Sequence, residues 1–154
     1  MRYPAVVEIP KGSDRRIHMS YDMSGFVDLG AIKDEIPINN GVIPVAYGYL
    51  PAFINKTEGD PVDTLIFSRE EYKTGDTADV VIIGMFIRKD GDHKVLVRDN
   101  TTSYENFLDI PEQERKLLLD YFGYKSEIIS VDEAKKAEDY LNDPEMVLTS
   151  LNLK

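Results

Sequence analysis

The chain contains no cysteine, and this absence excludes several kinds of site at once. Disulfides, zinc–thiolate centres, iron–sulfur clusters and thiol nucleophiles all require cysteine. Only two of the 154 residues are histidine, so a site built from several histidines is excluded as well. Carboxylates, in contrast, are abundant, with 28 Asp and Glu residues along the chain.

Long apolar segments and a basic surplus are also missing. No apolar run approaches the roughly 20 residues that a membrane helix needs, and the N-terminus carries no apolar signal segment, so we expect a cytoplasmic protein. Eighteen Lys and Arg against 28 Asp and Glu give a net charge of −10, which opposes binding to a nucleic acid. The length suits one self-supporting domain, and we expect a single domain over residues 1–154.

Strand patterns dominate up to about residue 98 and helix patterns follow, which predicts an α+β or mainly β fold. Apolar alternation and flanking turn residues predict strands at 6–9, 17–21, 62–67 and 79–88. A tight turn at 89–92 then leads into a strand at 93–98, which makes this pair the clearest hairpin. Short strands joined by turns favour a small barrel.

Three helices are predicted near the C-terminus. Pro111 suits a first helical position, acidic residues follow it, and Gly123 ends the segment. Residues 130–133 have the spacing of a capping box, which predicts a helix running to about Leu141. Asp143 followed by Pro144 predicts a short terminal helix.

Two acidic turns are the strongest chemical signal. The first reads Glu58-Gly59-Asp60-Pro61-Val62-Asp63, and the second places Asp90 and Asp92 around Gly91, with Lys94 close behind. If the two turns lie side by side, their five carboxylates repel one another unless cations neutralise them. Hard cations such as Mg²⁺ prefer oxygen ligands of this kind. The alternative is that these are ordinary solvated turn residues whose side chains point apart.

The order of the short motifs resembles that of the family I soluble inorganic pyrophosphatases. That family's signature runs Asp-Gly-Asp-Pro-hydrophobic-Asp, and the first acidic turn differs from it only at Glu58. Four further blocks are similar and occur in the same order: Glu8-Ile9-Pro10, Pro44-Val45-Ala46-Tyr47-Gly48, Asp92-His93-Lys94 and Tyr124-Lys125. The ordered set, spanning about residues 8–141, carries the resemblance.

Several positions depart from the family pattern and identify the chain as a divergent, bacterial-type member. Arg16-Ile17-His18 stands where the family has Lys-x-Glu, Ile43 replaces a Tyr and Ala46 replaces an Asn. The family's next Arg has no clean counterpart, and Lys33 is only a guess. The hairpin around Asp90 is also shortened.

The resemblance implies a five-stranded OB-like β-barrel with flanking C-terminal helices. It implies Mg²⁺-dependent hydrolysis of pyrophosphate to two orthophosphates through a metal-activated water, with Mn²⁺ as a possible substitute. It also implies a homo-oligomer, commonly a hexamer in bacterial members.

The resemblance also assigns roles to individual residues. The implied metal ligands are Glu58, Asp60, Asp63, Asp90 and Asp92, with Asp60 as general base. The implied substrate-binding residues are Glu8, Arg16, Tyr47, Lys94, Tyr124 and Lys125. Tyr47 and Tyr124 have an alternative interpretation as core aromatics, and His18 is interpreted as structural.

Three other functions remain open. The departures at Glu58, His18 and Ile43 suit a relative that keeps the fold and binds metal or phosphate but has lost turnover. A reshaped pocket suits hydrolysis of another small phosphoanhydride. An OB-type nucleic-acid binder is disfavoured by the negative charge and by the lack of a basic stripe with exposed aromatics.

Overall fold

The computed structural model describes residues 1–20 and 22–149, and its centre is a closed five-stranded β-barrel. The barrel strands pair in the order β1, β4, β5, β7, β6, and β6 pairs with β1 to close the ring. In chain order the elements are β1 (Arg2–Ile9), β2 (Arg15–Met19), β3 (Phe26–Ala31), β4 (Ala46–Asn55), β5 (Pro61–Phe67), β6 (Thr77–Arg88), β7 (Lys94–Arg98), α1 (Glu112–Phe122), β8 (Ile128–Glu133), α2 (Ala134–Leu141) and β9 (Val147–Thr149). The predicted OB-like barrel is thereby confirmed.

One parallel pairing determines where the acidic turns lie. β5 and β7 run parallel, with Thr64 opposite Val95, whereas the other barrel pairs are antiparallel. The first acidic turn runs into the start of β5, and the second comes directly before β7. Because parallel strands begin at the same end of a sheet, both turns lie at one end of the barrel.

The apolar faces of the strands fill two adjoining core clusters. The first lies beneath α2 and includes Leu50, Met85 and Leu141, all nearly inaccessible to solvent. The second includes Phe86 and Phe122 and connects the barrel with α1. α2 is too short to be stable alone, so its packing on β6 is what stabilises it.

The C-terminal third differs from the prediction in two places. The helix over Glu112–Phe122 is confirmed, with Pro111 before it and Gly123 after it. The helix predicted from Ser130 is wrong at its start, because Ile128–Glu133 forms β8 and only Ala134–Leu141 is helical. β1 pairs with Thr77–Val81 of β6 and β8 pairs with Gly84–Arg88, so β8 supplies the backbone partners beyond the end of β1.

The short terminal helix predicted at Asp143 is also wrong within the described residues. The Asp143 side chain accepts a hydrogen bond from the Glu145 N–H at 3.0 Å in a turn. The chain then continues as β9, which pairs with β4 from Phe53 to Asn55. Pairing with the edge of β4 therefore makes this segment a strand in place of the predicted helix.

β2 and β3 form a separate two-stranded antiparallel sheet beside the barrel. The strand predicted at 17–21 corresponds to β2 up to Met19, and Tyr21 lies outside the described residues. This sheet carries Arg16 and His18 toward the barrel end that holds the acidic turns. Within the described part of the chain, no helix has the length and apolar character needed to span a bilayer.

Candidate functional site

The first acidic turn is held by Asn55 at the end of β4. The Asn55 Oδ1 accepts hydrogen bonds from the N–H groups of Thr57 at 3.0 Å and Glu58 at 3.3 Å, and its carbonyl accepts one from Gly59 at 2.7 Å. Gly59 has a φ of +77°, a conformation that favours glycine. The turn then enters β5, which places Asp63 opposite Tyr49.

The second acidic turn is held by side-chain hydrogen bonds, one from within the turn and one from Ser126. The Asp92 N–H donates to Asp90 Oδ1 at 2.9 Å, and the Asp90 N–H donates to Ser126 Oγ at 3.1 Å. The Arg88 N–H donates to His93 Nδ1 at 3.0 Å. Burial lowers the pKa of His93, so the ring is neutral and can accept this bond.

A cavity of about 490 Å³ opens between the two turns, β2 and α1. All five predicted metal ligands line it, together with four of the predicted substrate-binding residues: Arg16, Tyr47, Glu58, Asp60, Asp63, Asp90, Asp92, Lys94 and Lys125. The expectation that the two acidic turns lie side by side is therefore confirmed.

Lys94 is a buried cation at the centre of this cluster. Its ammonium donates to Asp63 Oδ2 at 2.7 Å, Asp92 Oδ2 at 3.0 Å and the Tyr47 oxygen at 2.8 Å. Burial opposes its charge, but Tyr47 and the two carboxylates outweigh burial and raise the pKa of Lys94. Lys94 therefore stays charged and neutralises part of the acidic cluster.

Tyr47 keeps its proton in this environment. Burial raises the pKa of Tyr47 well above its ordinary value, and the nearby Asp63 carboxylate adds to the effect. Because its oxygen accepts the bond from Lys94, the hydroxyl hydrogen of Tyr47 is left to donate to another acceptor.

A second charged group joins β2 to the end of α1. Glu35 forms an ion pair with Arg16 at 3.2 Å and accepts a hydrogen bond from Lys125. Lys125 and, to a smaller extent, Arg16 lower the pKa of Glu35, so this carboxylate is ionised. Glu35 therefore holds both cations at the cavity wall.

Two of the six predicted substrate-binding residues, Glu8 and Tyr124, do not line the cavity. The buried Glu8 carboxylate accepts a hydrogen bond from the Met19 N–H at 2.7 Å and lies 3.6 Å from His18 Nδ1, beside a neighbouring groove. Tyr124 is 53% exposed and lies outside both hollows. Lys33, the guessed counterpart of the family's Arg, is exposed and also lies outside the cavity.

Four polar residues line the cavity although the sequence did not indicate them as ligands: His18, Glu35, Arg88 and Tyr121. Tyr121 lies three residues before Tyr124, on the buried face of α1, and burial raises its pKa to about 12. The apolar stripe of α1 was a signal for this position, whereas the Tyr-Lys pair pointed to the exposed neighbour.

The carboxylates have the chemistry of a site for a divalent cation. Burial raises the pKa of Glu58, and repulsion from Asp92 and Asp63 adds to this effect. Burial also raises the pKa of Asp92, which Lys94 offsets only in part. Among the described residues, no three acidic or histidine side chains converge closely enough to hold a metal by themselves. Carboxylates spread along a cavity in this way fit a divalent cation that keeps several waters among its ligands.

Comparison with known proteins supports the same interpretation. The family model described as inorganic pyrophosphatase matches residues 5–148. The inorganic pyrophosphatase of Thermus thermophilus is 30% identical over 141 residues, which cover 86% of this chain and 74% of that protein. The inorganic pyrophosphatase of Sulfolobus acidocaldarius is 29% identical over 133 residues, covering 80% and 73% of the two chains.

The fold is shared with solved structures as well. The crystal structure of inorganic pyrophosphatase from Ehrlichia chaffeensis superposes with a TM-score of 0.79 at 19% identity, covering 91% of this chain and 90% of that one. With the acidic turns gathered at one end of the same barrel and the family model matching nearly the whole length, the chain belongs to the inorganic pyrophosphatase family.

Proposed function

We propose that the protein hydrolyses inorganic pyrophosphate to two orthophosphates in a reaction that requires Mg²⁺. One observation carries this proposal: a single cavity of about 490 Å³ is lined by five carboxylates of the two acidic turns and by four cations. Carboxylates suit a divalent metal, and cations suit phosphate oxygens. Membership of the inorganic pyrophosphatase family supports the choice of substrate.

The family uses a divalent metal cofactor, which in this chain we assign to Mg²⁺, with Mn²⁺ as a substitute. Its ligands would come from Glu58, Asp60, Asp63, Asp90 and Asp92. When bound, the metal would lower the pKa of a water and neutralise charge on the phosphates. Lys94 would remain beside Asp63 and Asp92 to balance the rest of the carboxylate charge.

The residues of the chain supply the rest of the chemistry. Asp60 accepts the proton of the attacking water while the water oxygen forms its bond to one phosphorus. The bond from that phosphorus to the bridging oxygen breaks, and the second phosphate leaves. Arg16, Lys125 and the hydroxyl of Tyr47 donate to phosphate oxygens and hold the substrate in line. Lys94, Glu8 and Tyr124 complete the proposed substrate-binding set, with Glu8 and Tyr124 outside the cavity wall.

A second candidate function is hydrolysis of another small phosphoanhydride. Ile43, which replaces a family Tyr, is buried and lines the cavity. An apolar wall at this position removes a hydroxyl donor and changes the shape available to the substrate. The same change favours the weaker alternative of a protein that binds metal or phosphate with impaired turnover.

A phosphate-release assay separates these functions. Purified protein is incubated with pyrophosphate, tripolyphosphate or nucleoside triphosphates, with Mg²⁺, with Mn²⁺ and with a chelator. We expect phosphate release from pyrophosphate only when a divalent cation is present. Faster phosphate release from another substrate would identify that compound, not pyrophosphate, as the substrate. Binding of these compounds without phosphate release would identify a pyrophosphatase-fold protein with impaired turnover.

We further propose that residues 1–154 form one domain, that the protein is cytoplasmic and that it assembles as a homo-oligomer of six copies, the state common among bacterial members. Light scattering coupled to size-exclusion chromatography measures the number of copies directly. A monomer at micromolar concentration would contradict the assembly.

A further inference from the structure

Arg88 is a buried cation whose hydrogen-bonding capacity is largely unused. Its side chain is 9% exposed and lines the cavity between the acidic turns. Its Nη1 donates to the Asp92 carbonyl at 3.2 Å, but its Nε is buried and has no hydrogen-bond partner among the described residues. A buried donor without a partner costs about 1–3 kcal/mol, so binding of a ligand that accepts its hydrogen bond is favoured.

The nearby carboxylates do not satisfy the guanidinium. Asp90 Oδ2 lies 3.9 Å from Nη2 and Asp92 Oδ2 lies 3.8 Å from Nη1, both longer than a hydrogen bond. These contacts are ion pairs that fix the position of Arg88 without occupying its donors.

The other three cations of the cavity are already engaged. All three N–H donors of Lys94 are taken by Asp63, Asp92 and Tyr47. Arg16 and Lys125 both pair with Glu35. Arg88 differs from these three cations in having a buried N–H donor with no hydrogen-bond partner among the described residues.

We propose that Arg88 is a substrate-binding residue whose guanidinium donates to a phosphate oxygen of the anion in the cavity. Guanidinium is planar, permanently charged and suited to two parallel bonds with phosphate, which an ammonium cannot form. The identity of the anion as a diphosphate rests on the proposed function, whereas the role of Arg88 in binding it rests on the cavity.

The test measures anion binding and metal binding separately. Isothermal titration calorimetry measures the affinity for imidodiphosphate, a non-hydrolysable diphosphate, in the presence of Mg²⁺. Electron paramagnetic resonance measures Mn²⁺ binding with no anion present. The variants are Arg88→Gln and Arg88→Lys. Arg115→Gln is the matched control, because Arg115 Nε is also buried and unpartnered but lies on α1 outside the cavity.

We expect Arg88→Gln to weaken imidodiphosphate binding by about 10- to 100-fold, the value of a charge-assisted hydrogen bond. Arg88→Lys should bind with intermediate affinity, and Arg115→Gln should bind as the wild type does. Removing a cation from beside carboxylates should leave Mn²⁺ binding unchanged or make it tighter.

Comparing the two affinities distinguishes a residue that binds the anion from one that only supports the fold. A residue that binds the anion weakens imidodiphosphate binding when replaced, but it does not weaken Mn²⁺ binding. Weaker binding of both imidodiphosphate and Mn²⁺ would mean that Arg88 only holds the acidic turn, and it would overturn the proposal. Unchanged imidodiphosphate affinity in Arg88→Gln would also overturn the proposal. If Arg88→Gln does not fold, the imidodiphosphate affinity of Arg88→Lys tests the proposal instead. A wild type that binds imidodiphosphate through Arg88 but releases no phosphate from pyrophosphate would refute the proposed function alone; a wild type that binds none would refute both.

Discussion

We expect Glu35 to compete with the substrate for two of the cavity's cations, because it pairs with both Arg16 and Lys125. These side chains are partly exposed, so solvent screens each pair and the effect of removing it is small. We expect Glu35→Gln to release the two cations and to lower the dissociation constant for imidodiphosphate by about two- to fivefold, a size typical of solvent-screened pairs. Calorimetry measures the change.

Asp34→Asn is the control for this prediction, because Asp34 is the neighbouring acid but does not line the cavity. It should leave the affinity unchanged. Weaker binding in Glu35→Gln would mean that Glu35 positions the cations for the substrate and does not compete with it.

Glu58 should make the stability of the metal-free protein depend on pH. Its raised pKa means that the folded protein retains the proton above the ordinary value of 4.5, where the unfolded chain has lost it. The folded state then binds more protons than the unfolded state, so stability falls as pH rises through this window. Urea unfolding of wild type and Glu58→Gln in a chelator measures the difference in the free energy of unfolding.

We expect the wild type to lose stability relative to Glu58→Gln between pH 4.5 and neutral pH. Added Mg²⁺ should reduce the difference, because a bound cation neutralises the repelling carboxylates. A difference that stays constant over this range would show that Glu58 titrates as a solvated residue.

The sequence was informative about residues that belong to motifs and silent about residues that do not. Asp60, Asp63 and Lys94 were indicated by the ordered motifs, and the structure places them in one cavity. Arg88 appears in the sequence only as the last residue of an apolar strand. Glu35 lies in the segment where the resemblance has no clean counterpart. Both side chains reach the cavity through tertiary packing, which local spacing does not encode.

At the scale of elements, the approach of β1 to β4 depends on Gly48. A Cβ at this position would lie 1.8 Å from the Val6 carbonyl oxygen, so the two backbones would have to separate. We expect Gly48→Ala to lower the free energy of unfolding by about 3 kcal/mol or more. Urea denaturation measures the loss.

Gly25→Ala is the matched control, since a Cβ there meets nothing within 4 Å. We expect its effect to stay within about 0.5 kcal/mol. Equal stability of the two variants would mean that β1 and β4 can separate without cost at Gly48, although Val6 and Val7 pair there with Tyr49 and Gly48.

The predicted elements are confirmed where one local sequence signal acts alone. They are wrong where a helix signal competes with pairing to a neighbouring strand. The β6–β7 hairpin and α1 had clear turns and caps, and both are confirmed. Residues 130–133 had a capping-box spacing but form β8, because β6 extends past β1 and offers an unpaired edge. The open edge exists only in the assembled sheet, so the sequence could not reveal it.

For the whole molecule, closure of the barrel is the feature that builds the site. β1 pairs with both β4 and β6, which brings together strands that are some seventy residues apart in the chain. Periodicity predicted a small barrel without its strand order, and the resemblance supplied the five-stranded form. Part of the net charge of −10 comes from the two acidic turns, and closure of the barrel places both turns at one end. Cations must balance their carboxylates there.

Phosphate release from pyrophosphate by wild type and Asp60→Asn, with Mg²⁺ and with a chelator, tests hydrolysis at this cavity most directly. Asp120→Asn, an exposed change on α1, is the control. We predict Mg²⁺-dependent release by wild type and Asp120→Asn, and a kcat about 10²–10⁴-fold lower in folded Asp60→Asn. Release that persists in the chelator, or normal kcat in Asp60→Asn, would contradict metal-dependent hydrolysis with Asp60 as the base.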